Sequence, residues 1–202
     1  MAEKIFLDAQ QLLEDSYRLA ANIVKSSFRP DFIVALWRGG VPIAVAVQEF
    51  LRYCGVRADH VAIRTSSYTG VNTRAALVTV HGLEYLIAHC RAQHKLLLVD
   101  DVFDTGGTVD AVIEQLRRDM PGQLPHDIRI AVPYYKPLRN QTARVPDYYL
   151  HETDQWLMFP HSLEGLTGDE IERHRPELAK ILALASDGPT PAIIADGCAE
   201  KG

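Results

Sequence analysis

The first two thirds of the chain alternate between short apolar runs and segments of helical period. Phe32 to Leu36 (FIVAL) is a continuous apolar run, and VAIRT (Val61 to Thr65), ALVTV (Ala76 to Val80), LLLV (Leu96 to Val99) and IRIAV (Ile128 to Val132) follow it. A continuous apolar run such as FIVAL fits a strand buried on both faces, and the other segments read as further strands. Before them, Leu12, Leu13, Leu19, Ala20, Ile23 and Val24 recur at helical spacing, behind Asp8 as an N-cap with Gln11 three residues on. Pro42 stands near the first helical position of PIAVAVQEFL, after the turn Trp37-Arg38-Gly39-Gly40. Two further helices are predicted, from about Leu83 to Ala92 and from about Thr108 to Arg118. Strand and helix in alternation predict an α/β fold, a mainly parallel sheet flanked by helices on both faces, with ligands beyond the carboxyl ends of the strands.

Other stretches carry weaker signals. SSYTGVNTR, between VAIRT and ALVTV, has no apolar period and reads as a mobile loop. PDYYL reads as a short strand and DQWLMFP as an aromatic loop. Thr167-Gly168-Asp169-Glu170 has capping-box spacing and starts a helix running to roughly Leu184. Without repeat or linker, residues 1–185 read as one domain and 186–202 as a tail.

Composition narrows the function. At 202 residues, 47% hydrophobic and 23% charged, the chain suits a single core. A net charge of −5 gives no basic field for nucleic acid or anionic membrane. Cys54, Cys90 and Cys198 are odd in number and far apart, which argues against a disulfide framework and fits a reducing cytoplasm. No apolar run approaches the roughly 18 residues of a membrane span, and no signal-peptide pattern follows Met1.

The chemistry concentrates in LLLVDDVFDTGGTVDAV, Leu96 to Val112. A buried strand ending at Val99 places Asp100 and Asp101 at the sheet edge, pointing opposite ways, where they can serve sugar hydroxyls and a divalent cation. Asp104-Thr105-Gly106-Gly107-Thr108 then turns into a helix, offering N–H groups, hydroxyls and the positive end of a helix dipole to a phosphate. The plain alternative is a polar loop whose acids cap the helix. No G-K-[ST] follows the glycines and the spacing is not G-x-G-x-x-G, so neither a P-loop nor a dinucleotide fingerprint is present.

This stretch resembles the phosphoribosyl diphosphate signature of the type I phosphoribosyltransferases. ALWRGGVPIA resembles that family's diphosphate-binding turn, SSY the start of its flexible catalytic loop, and YYKP with DQWLMFP the base-binding hood of its xanthine-guanine and hypoxanthine enzymes. The resemblance implies the type I fold, with a hood formed by the N-terminal segment and residues about 137–166. It implies that Asp100 and Asp101 meet the ribose hydroxyls and Mg2+, and that the loop from Asp104 through Thr105, Gly106, Gly107 and Thr108 holds the 5-phosphate. Arg38, Gly39 and Gly40 would cradle the diphosphate, with a cis peptide at Trp37-Arg38. Ser67 and Tyr68 would fold over the reacting centre and exclude water. Asp104 would accept a proton at purine N7, Lys136 would donate to O6, Trp156 would stack on the base, and the Leu157 backbone would meet the ring edge.

The implied activity is purine salvage: transfer of 5-phosphoribosyl from 5-phosphoribosyl 1-diphosphate (PRPP) to N9 of hypoxanthine, guanine or xanthine. The implied partners are small molecules alone, namely PRPP, a purine base and a nucleoside monophosphate, bound by a homo-oligomer, dimer or tetramer. Where relatives commonly carry an acid for a second magnesium, six residues beyond the stacking aromatic, this chain has Ser162. Another acceptor base is the alternative within the enzyme class. Outside it stands a PRPP-sensing regulator on the same fold, which would need a basic face where the chain has scattered arginines such as Arg117-Arg118 and Arg139 to Arg144.

Overall fold

The computed structural model describes residues 4–68 and 77–186, so most of the expected mobile loop and nearly all of the tail lie outside the described residues. The chain falls into two compact units, Met1–Ser162 and Leu163–Gly202. The first runs β1 (Lys4–Phe6), α1 (Ala9–Lys25), β2 (Phe32–Trp37), α2 (Gly40–Tyr53), β3 (Asp59–Tyr68), β4 (Leu77–His81), α3 (Glu84–His89), β5 (Lys95–Val99), β6 (Val102–Phe103), α4 (Gly107–Asp119), β7 (Asp127–Ala131), β8 (Tyr134–Tyr135), β9 (His151–Glu152) and β10 (Trp156–Met158). The second holds α5 (Gly168–His174) and α6 (Pro176–Ser186).

A five-stranded sheet in the order β4-β3-β2-β5-β7 forms the centre, parallel throughout except where β4 runs antiparallel to β3. The apolar runs are continuous because both faces are covered. From β2 and β5, Ile33, Ala35, Leu97 and Val99 face Leu19 and Ile23 of α1 and Ile43 and Val47 of α2. The intervening Val34, Leu36, Leu96 and Leu98 face Leu86 of α3 and Val112, Ile113 and Leu116 of α4. The register pairs Ala35 with Val99 and Val99 with Ala131, so β2, β5 and β7 finish along one edge. The turns that follow them are thereby neighbours.

Smaller pairings attach the remaining segments. The parallel set β6-β8-β9 extends the edge beyond β5 and β7, and β1 pairs with β10 in the register Lys4 to Trp156 and Ile5 to Leu157. Asp15 of α1, only 1% exposed, accepts from Gln11 and Arg18 and sits 2.8 Å from His151 Nε2, tying α1 to β9. Burial, and then the Asp15 charge, push the Tyr134 hydroxyl above its usual range.

Several local expectations are corrected. Ser66, Ser67 and Tyr68 lie not in a loop but in β3, paired with Thr79, Val78 and Leu77. Within DQWLMFP, Trp156–Met158 is a strand, because β1 supplies a partner from the far end of the chain. PDYYL forms no strand; Tyr148 makes a single parallel bridge to Ala131 at the open edge of β7. The helix expected from Leu83 to Ala92 is confined to Glu84–His89. Asp8 and Thr167 cap their helices as expected, the latter in a full capping box, but the helix after Thr167 breaks at Arg175 because Pro176 follows.

Leu97 is fully enclosed between the layers. Leu97→Ala is expected to cost about 2–5 kcal/mol, read as a lower denaturant midpoint with an unchanged m-value.

Candidate active site

Three turns meet at the carboxyl edge of the sheet. β5 delivers Asp100 and Asp101, and the Asp101 N–H donates to Asp100 Oδ1 at 3.0 Å. Burial, and then the charge of Asp101, push the Asp100 carboxyl well above the usual carboxylate range. Beyond β6 the chain turns at Gly106, whose φ of 80° is left-handed. A side chain there would also come within 2.5 Å of Thr142 Oγ1 and 2.8 Å of Phe103, so both conformation and space require glycine. Gly106 precedes α4 without a side-chain cap, leaving the helix dipole to face a ligand; the Gly107 N–H makes a long 3.3 Å bond to Thr105 Oγ1. Asp100, Asp101, Asp104, Thr105, Gly106 and Thr108 line a cavity of about 200 Å3.

The second turn follows β2. The Trp37-Arg38 peptide is cis, as expected, and Trp37 and Arg38 are both exposed. A Cβ on Gly39 would overlap the Asp101 carboxylate. One on Gly40 would overlap the Val99 carbonyl and lie 2.8 Å from Asp100 Cα. The glycines therefore let this turn touch the acid pair directly. Gly39 meets a side chain that can move, whereas Gly40 meets backbone that cannot.

The third group surrounds Asp104. Lys136, 3% exposed, follows β8, and its backbone N–H donates to the Phe103 carbonyl at 2.9 Å. Its Nζ lies 3.2 Å from Asp104 Oδ2 and 5.9 Å from the Trp156 ring centroid. Trp156 is 51% exposed, presenting an open aromatic face, while Leu157 beside it is buried in the pairing with Ile5. Arg139 Nε approaches Asp104 Oδ1 to 2.6 Å as an ion pair. That oxygen is buried, and the Arg139 guanidinium is the group against it.

The structure thus gathers Arg38, Gly39, Gly40, Asp100, Asp101, Asp104, Thr105, Gly106, Gly107, Thr108, Lys136, Trp156 and Leu157 around one edge. Of Ser67 and Tyr68 the backbone is placed, as the last two residues of β3. Two neighbours escaped the sequence reading. His161 Nε2 stands 3.4 Å from Asp101 Oδ2 and stacks on Phe159, a contact no local pattern announces. Arg139 carried a usable signal: it lies three residues after Lys136, and in a 3-10 turn such side chains eclipse.

The acid pair fits a divalent cation. Two adjacent carboxylates, one pushed above its usual range by burial and its neighbour's charge, gain from a cation that would take its other ligands from substrate oxygens and water. Among the described residues no group of three or more His, Cys, Asp or Glu side chains forms a metal cage, so protein atoms alone do not complete the shell.

A sheet edge with these parts can grip a phosphorylated sugar and, beside it, a flat ring carrying a carbonyl. The family model described as the phosphoribosyl transferase domain matches residues 3–164, and the chain belongs to that family. It is a phosphoribosyltransferase with the type I fold. A purine phosphoribosyltransferase from Pyrococcus horikoshii is similar at 28% identity over 81% of this chain and 97% of that one, with a TM-score of 0.62. The xanthine-guanine-hypoxanthine phosphoribosyltransferase of Helicobacter pylori shares the fold at 20% identity, covering 78% and 92% of the two chains, with a TM-score of 0.59. So does a hypothetical protein from Neisseria gonorrhoeae solved with bound ppGpp, at 20% identity, 90% and 98% coverage and a TM-score of 0.65. A search of curated protein sequences found no significant match.

Gly40 and Gly107 separate structural from open glycine positions. Gly40→Ala is expected to lower stability by about 1–3 kcal/mol through overpacking, seen in thermal unfolding. Gly107→Ala, whose Cβ would meet only Thr105 Oγ1 at 3.5 Å, should leave the midpoint nearly unchanged.

Proposed function

We propose that the chain transfers 5-phosphoribosyl from PRPP to N9 of a 6-oxopurine, hypoxanthine, guanine or xanthine, releasing pyrophosphate. The observation that carries this reading is Lys136, a buried ammonium held between the Asp104 carboxylate and the open face of Trp156. A flat base stacked on Trp156 would offer its O6 to Lys136 and its N7–H to Asp104. The Asp104 carboxylate, on the side that faces Lys136, is the acceptor for that proton. The purine relatives from P. horikoshii and H. pylori support the base class, and ppGpp, a guanine nucleotide, on the same fold supports it further.

The other groups have matching tasks. Asp100 and Asp101 hold the ribose hydroxyls and Mg2+, and the loop from Thr105 to Thr108 takes the 5-phosphate at the mouth of α4. Arg38, Gly39 and Gly40 receive the diphosphate, and the Leu157 backbone lies along the base edge. Ser67 and Tyr68, at the end of β3, belong to the segment that shields the reacting carbon from water. The bond from C1′ to the diphosphate oxygen breaks with its electron pair leaving on oxygen, while N9 forms the new bond and the N7 proton passes to Asp104. When bound, Mg2+ neutralises negative charge on the diphosphate. The reading is of a cytoplasmic homo-oligomer, dimer or tetramer, in purine salvage, with neither nucleic acid nor membrane as partner. The net charge of −5 offers no overall basic field to nucleic acid or anionic membrane; no described helix is long and apolar enough to cross a membrane. A Trypanosoma cruzi hypoxanthine phosphoribosyltransferase of the same fold, 17% identical, has been studied for its oligomeric state.

A panel of purine and pyrimidine bases with PRPP and Mg2+, followed by nucleotide formation, tests the reading. Turnover is expected with 6-oxopurines and not with adenine or pyrimidines. Asp104→Asn should lower kcat by about 10²–10⁴-fold with PRPP affinity nearly unchanged, and an undiminished rate would remove Asp104 from the chemistry. Lys136→Met should raise KM for 6-oxopurines by about tenfold or more while leaving PRPP binding intact, because it removes the group facing O6.

A further inference from the structure

We infer that Arg139 is a positioning residue for Asp104, its guanidinium holding the Oδ1 side of the carboxylate so that the Oδ2 side faces Lys136 and the incoming base. The inference rests on the reading of Asp104 as proton acceptor and adds a residue that neither the family pattern nor the sequence assigned. Asp104 is held from both sides by one short element. Lys136 and Arg139 bracket the 3-10 turn Pro137–Arg139, closed by the Arg139 N–H donating to the Lys136 carbonyl at 3.1 Å. Three residues per turn bring both side chains to the same side, Lys136 on Oδ2 and Arg139 on Oδ1.

The two cations are not equivalent. Lys136 has a second task, since a 6-oxopurine on Trp156 presents its carbonyl where the ammonium already lies. Arg139 is 45% exposed in its side chain and lies on the other carboxylate oxygen, so it remains as a counter-charge when Lys136 turns to the base. Its Nε lies 2.6 Å from Oδ1, an oxygen with almost no exposed surface, so the guanidinium covers that side of the carboxylate. The side toward Lys136 is thereby held for the base.

The turn itself is firmly placed. The Leu138 N–H donates to Asp154 Oδ1 at 3.3 Å, Asn140 Nδ2 donates to the Tyr135 hydroxyl at 3.2 Å, and the Gln141 N–H donates to the Thr105 carbonyl at 3.0 Å. The last of these bonds ties the turn to the loop that carries Asp104.

The test is a double-mutant cycle in the full chain with PRPP, Mg2+ and guanine. Arg139→Gln is expected to lower kcat by about tenfold with KM for PRPP unchanged within about twofold, and Arg139→Lys to recover most of that loss. In an Asp104→Asn background, Arg139→Gln should change kcat by less than about twofold, because the group it positions is gone. Thermal unfolding of both Arg139 variants should match the parent. A full tenfold loss in the Asp104→Asn background would overturn the inference, as would a parental kcat in Arg139→Gln. If Asp104→Asn alone keeps the parental rate, the underlying reading of Asp104 fails instead, and that single arm tells the two failures apart.

Discussion

The contact on which the site depends is the approach of Gly40 to the end of β5. Any side chain at that position would run into the Val99 carbonyl and the Asp100 backbone, neither of which can step aside. Because glycine stands there, the start of α2 lies directly on the strand end, and the Arg38 turn and the acid pair share one small space. The parallel register supplies the rest: β2, β5 and β7 stop in line, so a turn after one strand meets the turn after the next. A cavity of about 200 Å3 lies beside the turn from Asp104 to Thr108.

Charge is arranged along that edge in a way that avoids self-defeat. The carboxylates of Asp100 and Asp101 lie at the end of β5, and the dipole of α4 opens a few residues further along the chain. On the proposed reading a phosphorylated sugar would separate the two by its own ring, so that the acids would face hydroxyls and a cation and the N–H groups the phosphate. Asp104 sits apart with its own cations, Lys136 and Arg139. Acids three or four residues apart thus have different partners, and partners rather than sequence proximity set their tasks.

Much of this was legible in the sequence, for a definite physical reason. Strands covered on both faces are apolar nearly throughout, so β2 and β5 announce themselves as runs, and β7 more weakly because Arg129 interrupts it. The glycine turn and the acid-glycine stretch are equally local, since a helix mouth that holds an anion needs small residues at fixed places. Elements set by distant partners stayed hidden. Trp156–Met158 becomes a strand only because Lys4–Phe6 pairs with it, and Ser66 to Tyr68 extend β3 only because β4 returns antiparallel beside them. His161 reaches Asp101 through the fold alone. Arg139 lay in plain view but looked like one of several loop arginines until the 3-10 turn placed it over Asp104.

The central claim is that one edge of the sheet holds a whole nucleoside monophosphate. A crystal soaked with guanosine 5′-monophosphate tests it most directly. The account predicts the phosphate on the loop from Thr105 to Thr108, ribose hydroxyls against Asp100 and Asp101, and the base between Trp156 and Lys136 with N7 toward Asp104. Density for the nucleotide at any other surface, with this pocket holding only solvent, would contradict it.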